Sequence, residues 1–178
     1  MLQPTAVLLR PLLESDTIRR IRRNHGLEHA TIHILNRQRY TLSGSSSASG
    51  FILLGDVPTE RVEAAVREAL RRFQRGEAHW AVHPNCGTNL VASGVLAALV
   101  GVVGFMGTTP RSAWARFPVV VLAMMFTSFY ALPFGMALQK HFTTSGDMGD
   151  LEFVSVTRRE LRILGQAWVF HHVLTRKG

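Results

Sequence analysis

Residues 90–106 and 117–138 contain no charged side chain. A helix of about 20 apolar residues crosses the roughly 30 Å of bilayer hydrocarbon. The second run is long enough alone, and the first lies near the lower limit. Gly94, Gly101 and Gly104 fall in the first run, and small residues are common where membrane helices approach closely. Residues 107–116, with Pro110, Arg111, Trp114 and Arg116, read as a short polar turn carrying an interfacial tryptophan. A two-helix transmembrane hairpin is the expectation, and a buried soluble-core hairpin is the alternative.

The average composition hides this pattern. Hydrophobic residues make up 47% of the 178 residues, which is ordinary for a soluble protein. The net charge of +8 is spread around the apolar runs: twelve basic against eight acidic residues in 1–88, two basic in 107–116, six against four in 139–178. No RNP, zinc-finger or helix-turn-helix pattern accompanies the charge, so nucleic acid is not an expected partner. Basic residues beside membrane spans set topology and meet anionic lipid. A hairpin puts both termini on one side, and the basic excess there makes that side cytoplasmic. One cysteine excludes an intrachain disulfide. Residues 1–16, broken by Pro4, Arg10 and Pro11, read as a mobile or membrane-surface lead-in rather than a cleaved signal.

Around the hairpin the pattern is α+β. Residues 17–38 form a helix with N-cap candidates Ser15, Asp16 and Thr17, and Arg19, Arg20, Arg22 and Arg23 cluster at its start, at headgroups or in solvent. Residues 40–42 and 51–54 are strand-like, with the Ser43–Gly50 stretch as a flexible connection. Residues 58–76 repeat Val62, Val66, Leu70 and Phe73 at helical spacing. Residues 79–83 alternate like a short strand delivering His83. Residues 151–156 and 167–170 also read as strands, able to join the 39–55 hairpin in one sheet. The expected organisation is a lead-in (1–16), a cytosolic α+β portion (17–89), two transmembrane helices (90–106, 117–138) and a strand-rich tail (139–178).

Chemistry concentrates in two places. In the first helix, His25-Gly26-Leu27-Glu28-His29 sets two imidazoles one turn apart with a carboxylate beside them. That is the H-x-x-E-H spacing of inverted zinc-protease helices. The second is His83-Pro84-Asn85-Cys86-Gly87-Thr88-Asn89, just before the first apolar run. Imidazole and thiolate both suit zinc. With His25, His29, His83 and Cys86 all bound, the site is closed and structural. With His83 as third ligand alone, one position stays open for water. Cys86 is alternatively a nucleophile or a small buried residue. Glu28 is a base, a ligand or an arginine's partner. Asn85, Thr88 and Asn89 can hydrogen-bond the imidazoles or a substrate carbonyl, or cap the following helix. Gly26 invites a close backbone approach. His33 drifts off the helical face, and His141, His171 and His172 read as interface or surface residues.

These blocks resemble the YqhQ-type family of bacterial membrane proteins, described as predicted metal-dependent enzymes. The matching positions are His25, Gly26, Glu28 and His29; His83, Pro84, Cys86, Gly87 and Thr88; and Thr143 and Thr144 beyond the second run. The resemblance covers about residues 20–150. Ala30 stands where a lysine is usual and Asn85 where an arginine is usual, and the chain is shorter, with fewer spans. The resemblance implies a shared metal site and no substrate.

Together these features lead to a multi-pass bacterial inner-membrane protein with zinc (or another divalent ion) between His25, His29 and His83, and Glu28 as base. A peptide bond near the membrane is the expected substrate, with a lipid-linked ester behind it. The rivals are a membrane module with a structural metal and a metal-free adaptor for lipid or a partner.

Overall fold

In the computed structural model, which describes residues 2–163 and 165–178, the chain has an α+β fold of two units: residues 1–83 with 140–178, and residues 84–139. The first unit opens with short exposed helices α1 (Gln3–Leu8) and α2 (Arg10–Leu13). Helix α3 (Asp16–Arg37) follows, with Ser15 at its N-cap position making no side-chain cap. A hairpin of β1 (Ser43–Ser47) and β2 (Gly50–Leu54) leads to α4 (Thr59–Gln74), which ends before Gly76 at φ +82°. The C-terminal strands β3 (Glu152–Ile163) and β4 (Gln166–Arg176) complete an antiparallel sheet in the order β1-β2-β4-β3. The tail therefore joins the hairpin in one sheet, through β2 and β4.

Leu27, Ala30 and Leu35 of α3 and Val62, Val66 and Ala69 of α4 meet Phe51, Leu53 and Val173 of the sheet in one core. The amphipathic stripe of α4 turns inward as its spacing dictates, and its opposite face carries ion pairs such as Arg67–Glu63. Trp80 closes the core beside both helices, with the guanidinium groups of Arg37 and Arg72 over its ring at 4.6 and 4.3 Å.

Several local expectations are corrected. The serine stretch is a strand: Ser43–Ser47 pairs residue for residue with Gly50–Leu54. Small residues are needed there, because a Cβ on Gly44 would collide with the Glu28 carboxylate of α3. Residues 79–83 are no strand; Ala78–Ala81 is a 3₁₀ turn, with Trp80 N–H donating to Glu77 O. Arg22 and Arg23 are turned inward rather than to headgroups or open solvent. Arg22 donates to the carbonyls of Leu13, His141 and Thr144, and Arg23 lies 3.5 Å from Asp150 and 3.7 Å from Asp147.

His171 is likewise buried, not a surface residue. Strand β4 alternates, and Val169, His171, Val173 and Thr175 all point inward. Among the described residues the ring nitrogens of His171 have at most a weak bond to the Gly55 backbone. Burial, and then the charge of Arg158, hold its pKa below the usual histidine range. Below about pH 6.5 the unfolded chain takes up a proton that folded His171 resists. Stability should therefore fall as pH drops from that value, by at most about 1.4 kcal/mol per pH unit for one proton. Melts of His171→Leu between pH 7 and 5 should show a shallower fall than wild type; equal slopes would remove His171 as a source.

The second unit is a helical hairpin, α5 (Gly87–Phe105) and α6 (Pro110–Leu138), joined by a turn far shorter than residues 107–116. Thr109 and Ser112 form a capping box that starts α6 early. Gly104 faces Val120, where a Cβ would come within 2.6 Å, and Gly101 faces Met124. At the far end Asn89 accepts from Gln139 at 2.7 Å and donates to Pro84 O at 2.6 Å, against the open face of Gly135. Both helices are long and apolar enough to cross a membrane.

Candidate metal centre

Helical spacing on α3 brings His25, His29 and His33 into one row. The rings of His25 and His29 are 4.4 Å apart between centroids. His83, reached through the 3₁₀ turn, lies 5.7 Å from His29 and 4.3 Å from His33. The first unit thus lines up four imidazoles, one more than the sequence argument used. His33 was the residue set aside there; the signal was the repeat at 25, 29 and 33.

Backbone carbonyls orient the row. His25 Nδ1 is 2.9 Å from Thr143 O, and His29 Nδ1 is 2.8 Å from Ala81 O. A carbonyl only accepts, so in each neutral ring Nδ1 carries the proton and the lone pair is on Nε2. Metal-bound histidines are held by this kind of bond behind the ligating nitrogen. His33 is set the other way, with Nε2 at 3.1 Å from Val82 O. Thr143, to which no chemical role attaches by residue type, contributes through its carbonyl.

The segment carrying Thr143 is locked onto α3. Ser145 N–H donates to Arg22 O at 2.9 Å, and the Ser145 carbonyl lies where a Cβ of Gly26 would stand. Gly26 is therefore the point of closest approach that admits this crossing, and the crossing presents Thr143 O to His25.

Glu28 is 4% exposed. Ser46 Oγ donates to its carboxylate, and Gly44 leaves it room. Burial raises its pKa above the usual carboxylate range, against opposing pulls from the Ser46 hydrogen bond and the charge of His25. His83 moves the other way: burial, then the neighbouring His33 and His29, lower its pKa to about 4. It is neutral at pH 7, the state a metal ligand requires.

A family model described as a domain of unknown function (DUF6391) matches residues 20–156. The chain belongs to this family. It is also 31% identical over 154 residues to an uncharacterised protein of Picosynechococcus sp., covering 73% of this chain and 75% of that one. No solved structure matches it. The family range includes the four histidines, Glu28, Cys86, both long helices and Thr143, and ends within β3. It brings no assigned activity, and neither YqhQ-type membership nor a metal-dependent reaction follows from it.

Within this DUF6391 chain, His25 and His29 are the candidate metal-binding pair of the first unit, with His83 and His33 beside them. Cys86 occupies the N-cap position of α5, where its Sγ accepts from Thr88 N–H at 3.4 Å. Asn85 is exposed, and Thr88 is half-buried in the first turn of α5. Asn89 is committed to Pro84 and Gln139, which makes it part of the hairpin's internal scaffold.

Proposed function

We propose that this chain is a membrane-anchored, metal-dependent hydrolase. The observation that carries the reading is the pair His25 and His29, one turn apart, each with its Nδ1 on a backbone carbonyl. Cys86, the thiolate candidate of the second sequence block, would add a third ligand, and a set of three would leave a position for water, as in catalytic zinc sites. His83 stands beside His29 as an alternative donor. Zinc suits this nitrogen and sulfur set best, though other divalent metals accept it. Such an ion supplies Lewis acidity toward a carbonyl and makes water acidic near neutral pH.

The residues have divided tasks. Thr143 and Ala81 hold the imidazoles, and Ser46 holds Glu28. Glu28 takes the proton of the attacking water, a task for which a raised carboxylate pKa is suited. The substrate class is a peptide bond near the bilayer, with a lipid-linked ester second. Membrane anchoring is supported by α5 and α6, of whose apolar windows only 11% and 17% is buried, whereas a soluble-core hairpin would be mostly covered. The basic excess outside the hairpin supports cytoplasmic termini in a bacterial inner membrane.

Glu28→Gln is the test. Hydrolysis of a peptide library by the full chain should fall roughly 10²–10⁴-fold, with bound metal unchanged. Unchanged hydrolysis would remove Glu28 from the reaction. A second reading, a structural metal staple, is favoured by the presence of a thiolate in the donor set. It predicts intact metal, no hydrolysis by wild type, and unfolding on chelation.

A further inference from the structure

The sheet's two faces differ in a way the core does not explain. The inner face packs on α3 and α4. The outer face carries Ile52, Phe170, Leu161 and Trp168, and Leu161 and Trp168 stand directly opposite each other on β3 and β4. Strand β2 pairs with β4 only over residues 170–174, so β3 and β4 run on beyond the sheet as a two-stranded arm. Leu161 is 53% exposed and Trp168 38%. An isolated two-stranded ribbon is marginal in water, and a contiguous exposed apolar patch marks a contact surface.

The charges on the arm narrow the occupant. Arg158 is engaged with Asp56 at 3.1 Å. Arg159 lies on the outer face opposite Phe170 and, among the described residues, has no carboxylate within ion-pair distance. It lines a groove of about 300 Å³ with Ile52, Leu161, Phe170 and His172. Arg162, opposite Ala167, lies on the other face of the arm, with Glu160 3.9 Å away. Aliphatic groups, one indole and an unneutralised arginine, Arg159, are the composition of a surface that meets a headgroup layer. Continuity of the chain adds a second argument. The first unit ends at His83, four residues before α5 begins at Gly87, and resumes at Lys140, two residues after α6 ends at Leu138. If α5 and α6 span a bilayer, this unit is held beside it at high effective concentration.

We propose that the outer face of the β3–β4 arm, centred on Leu161, Trp168 and Arg159, docks on the headgroup layer of an anionic bilayer. The inference rests on the membrane reading above. It gives the arm a task outside the histidine site: it holds the unit bearing that site in a fixed attitude to the lipid.

The full chain, reconstituted in phosphatidylcholine–phosphatidylglycerol vesicles with brominated acyl chains, tests it through tryptophan quenching. Wild type minus Trp168→Phe isolates the Trp168 component, and wild type minus Trp114→Phe isolates Trp114. The Trp168 component should be quenched, and Arg159→Glu should cut that quenching by at least about twofold. Quenching of Trp114 without Trp168 overturns the docking while leaving the membrane reading in place. Quenching of neither component overturns both. Protection of Trp168 from iodide in bromine-free vesicles, together with Leu161→Cys pairs that cross-link, would show a second copy on this face and overturn the lipid assignment.

Discussion

Gly26→Ala is expected to destabilise the first unit by about 3 kcal/mol or more, the upper end of overpacking costs. In an open helix the same change stabilises by roughly 1 kcal/mol, because alanine is the better helix former. Here the added Cβ meets the Ser145 carbonyl and approaches Ala81 Cβ at 3.2 Å. The carbonyl cannot swing away cheaply. Ser145 N–H is bonded to Arg22 O, and the Thr144 and Thr143 carbonyls hold Arg22 and His25. Moving the crossing segment would break all three together. Against a total stability of about 5–15 kcal/mol, that loss is large. Denaturant melts of the purified chain measure it, and Gly94→Ala is the control, since nothing lies within 4 Å of a Cβ there. A midpoint that falls for Gly26→Ala and holds or rises for Gly94→Ala is the expected pair. A rise for both would mean the crossing is loose.

How far the sequence revealed the structure depends on whether a feature is local. The α3 and α4 stripes, the two apolar helices and the His25/His29 spacing are set by residues within a turn or two of one another, and all were readable. Gly26 was readable as a point of close approach, but not what approached it, because Ser145 is distant in the chain. The β1 strand was not readable. Ser43-Gly44-Ser45-Ser46-Ser47 has poor strand propensity, and it pairs because only small residues pass beside Glu28. His171 was misread as surface although the alternation Val169, His171, Val173 was present; the polar residue hid the period. Arg22 and Arg23 look like a solvated run until the carbonyls of residues 141–144 and the carboxylates of Asp147 and Asp150 are folded onto them. The same distance effect governs the site. The imidazoles were visible, but their orienting carbonyls at Thr143 and Ala81 were not, since backbone oxygens have no residue signature.

His25→Ala/His29→Ala should abolish metal binding. Zinc measured by elemental analysis of detergent-purified protein is expected to fall from about one equivalent to background, on the order of a tenth or less. The size of the effect follows from what the pair contributes. Even loss of a group that only orients a ligating histidine typically weakens metal affinity roughly 10–100-fold. Removing both histidines leaves too few donors to retain an ion through a desalting column. Both histidines also tie down backbone, His25 at Thr143 and His29 at Ala81, so loss of metal could reflect loss of fold. His33→Ala separates the two. It removes an imidazole from the same row, with its own backbone bond to Val82, but neither of the two ligand histidines. Metal retained in His33→Ala and lost in the double variant, with both proteins melting cooperatively, would assign the ion to His25 and His29. Metal absent from wild type after zinc is added back and the excess removed would sink the hydrolase reading. Glu28 would then be a buried carboxyl that anchors β1 through Ser46.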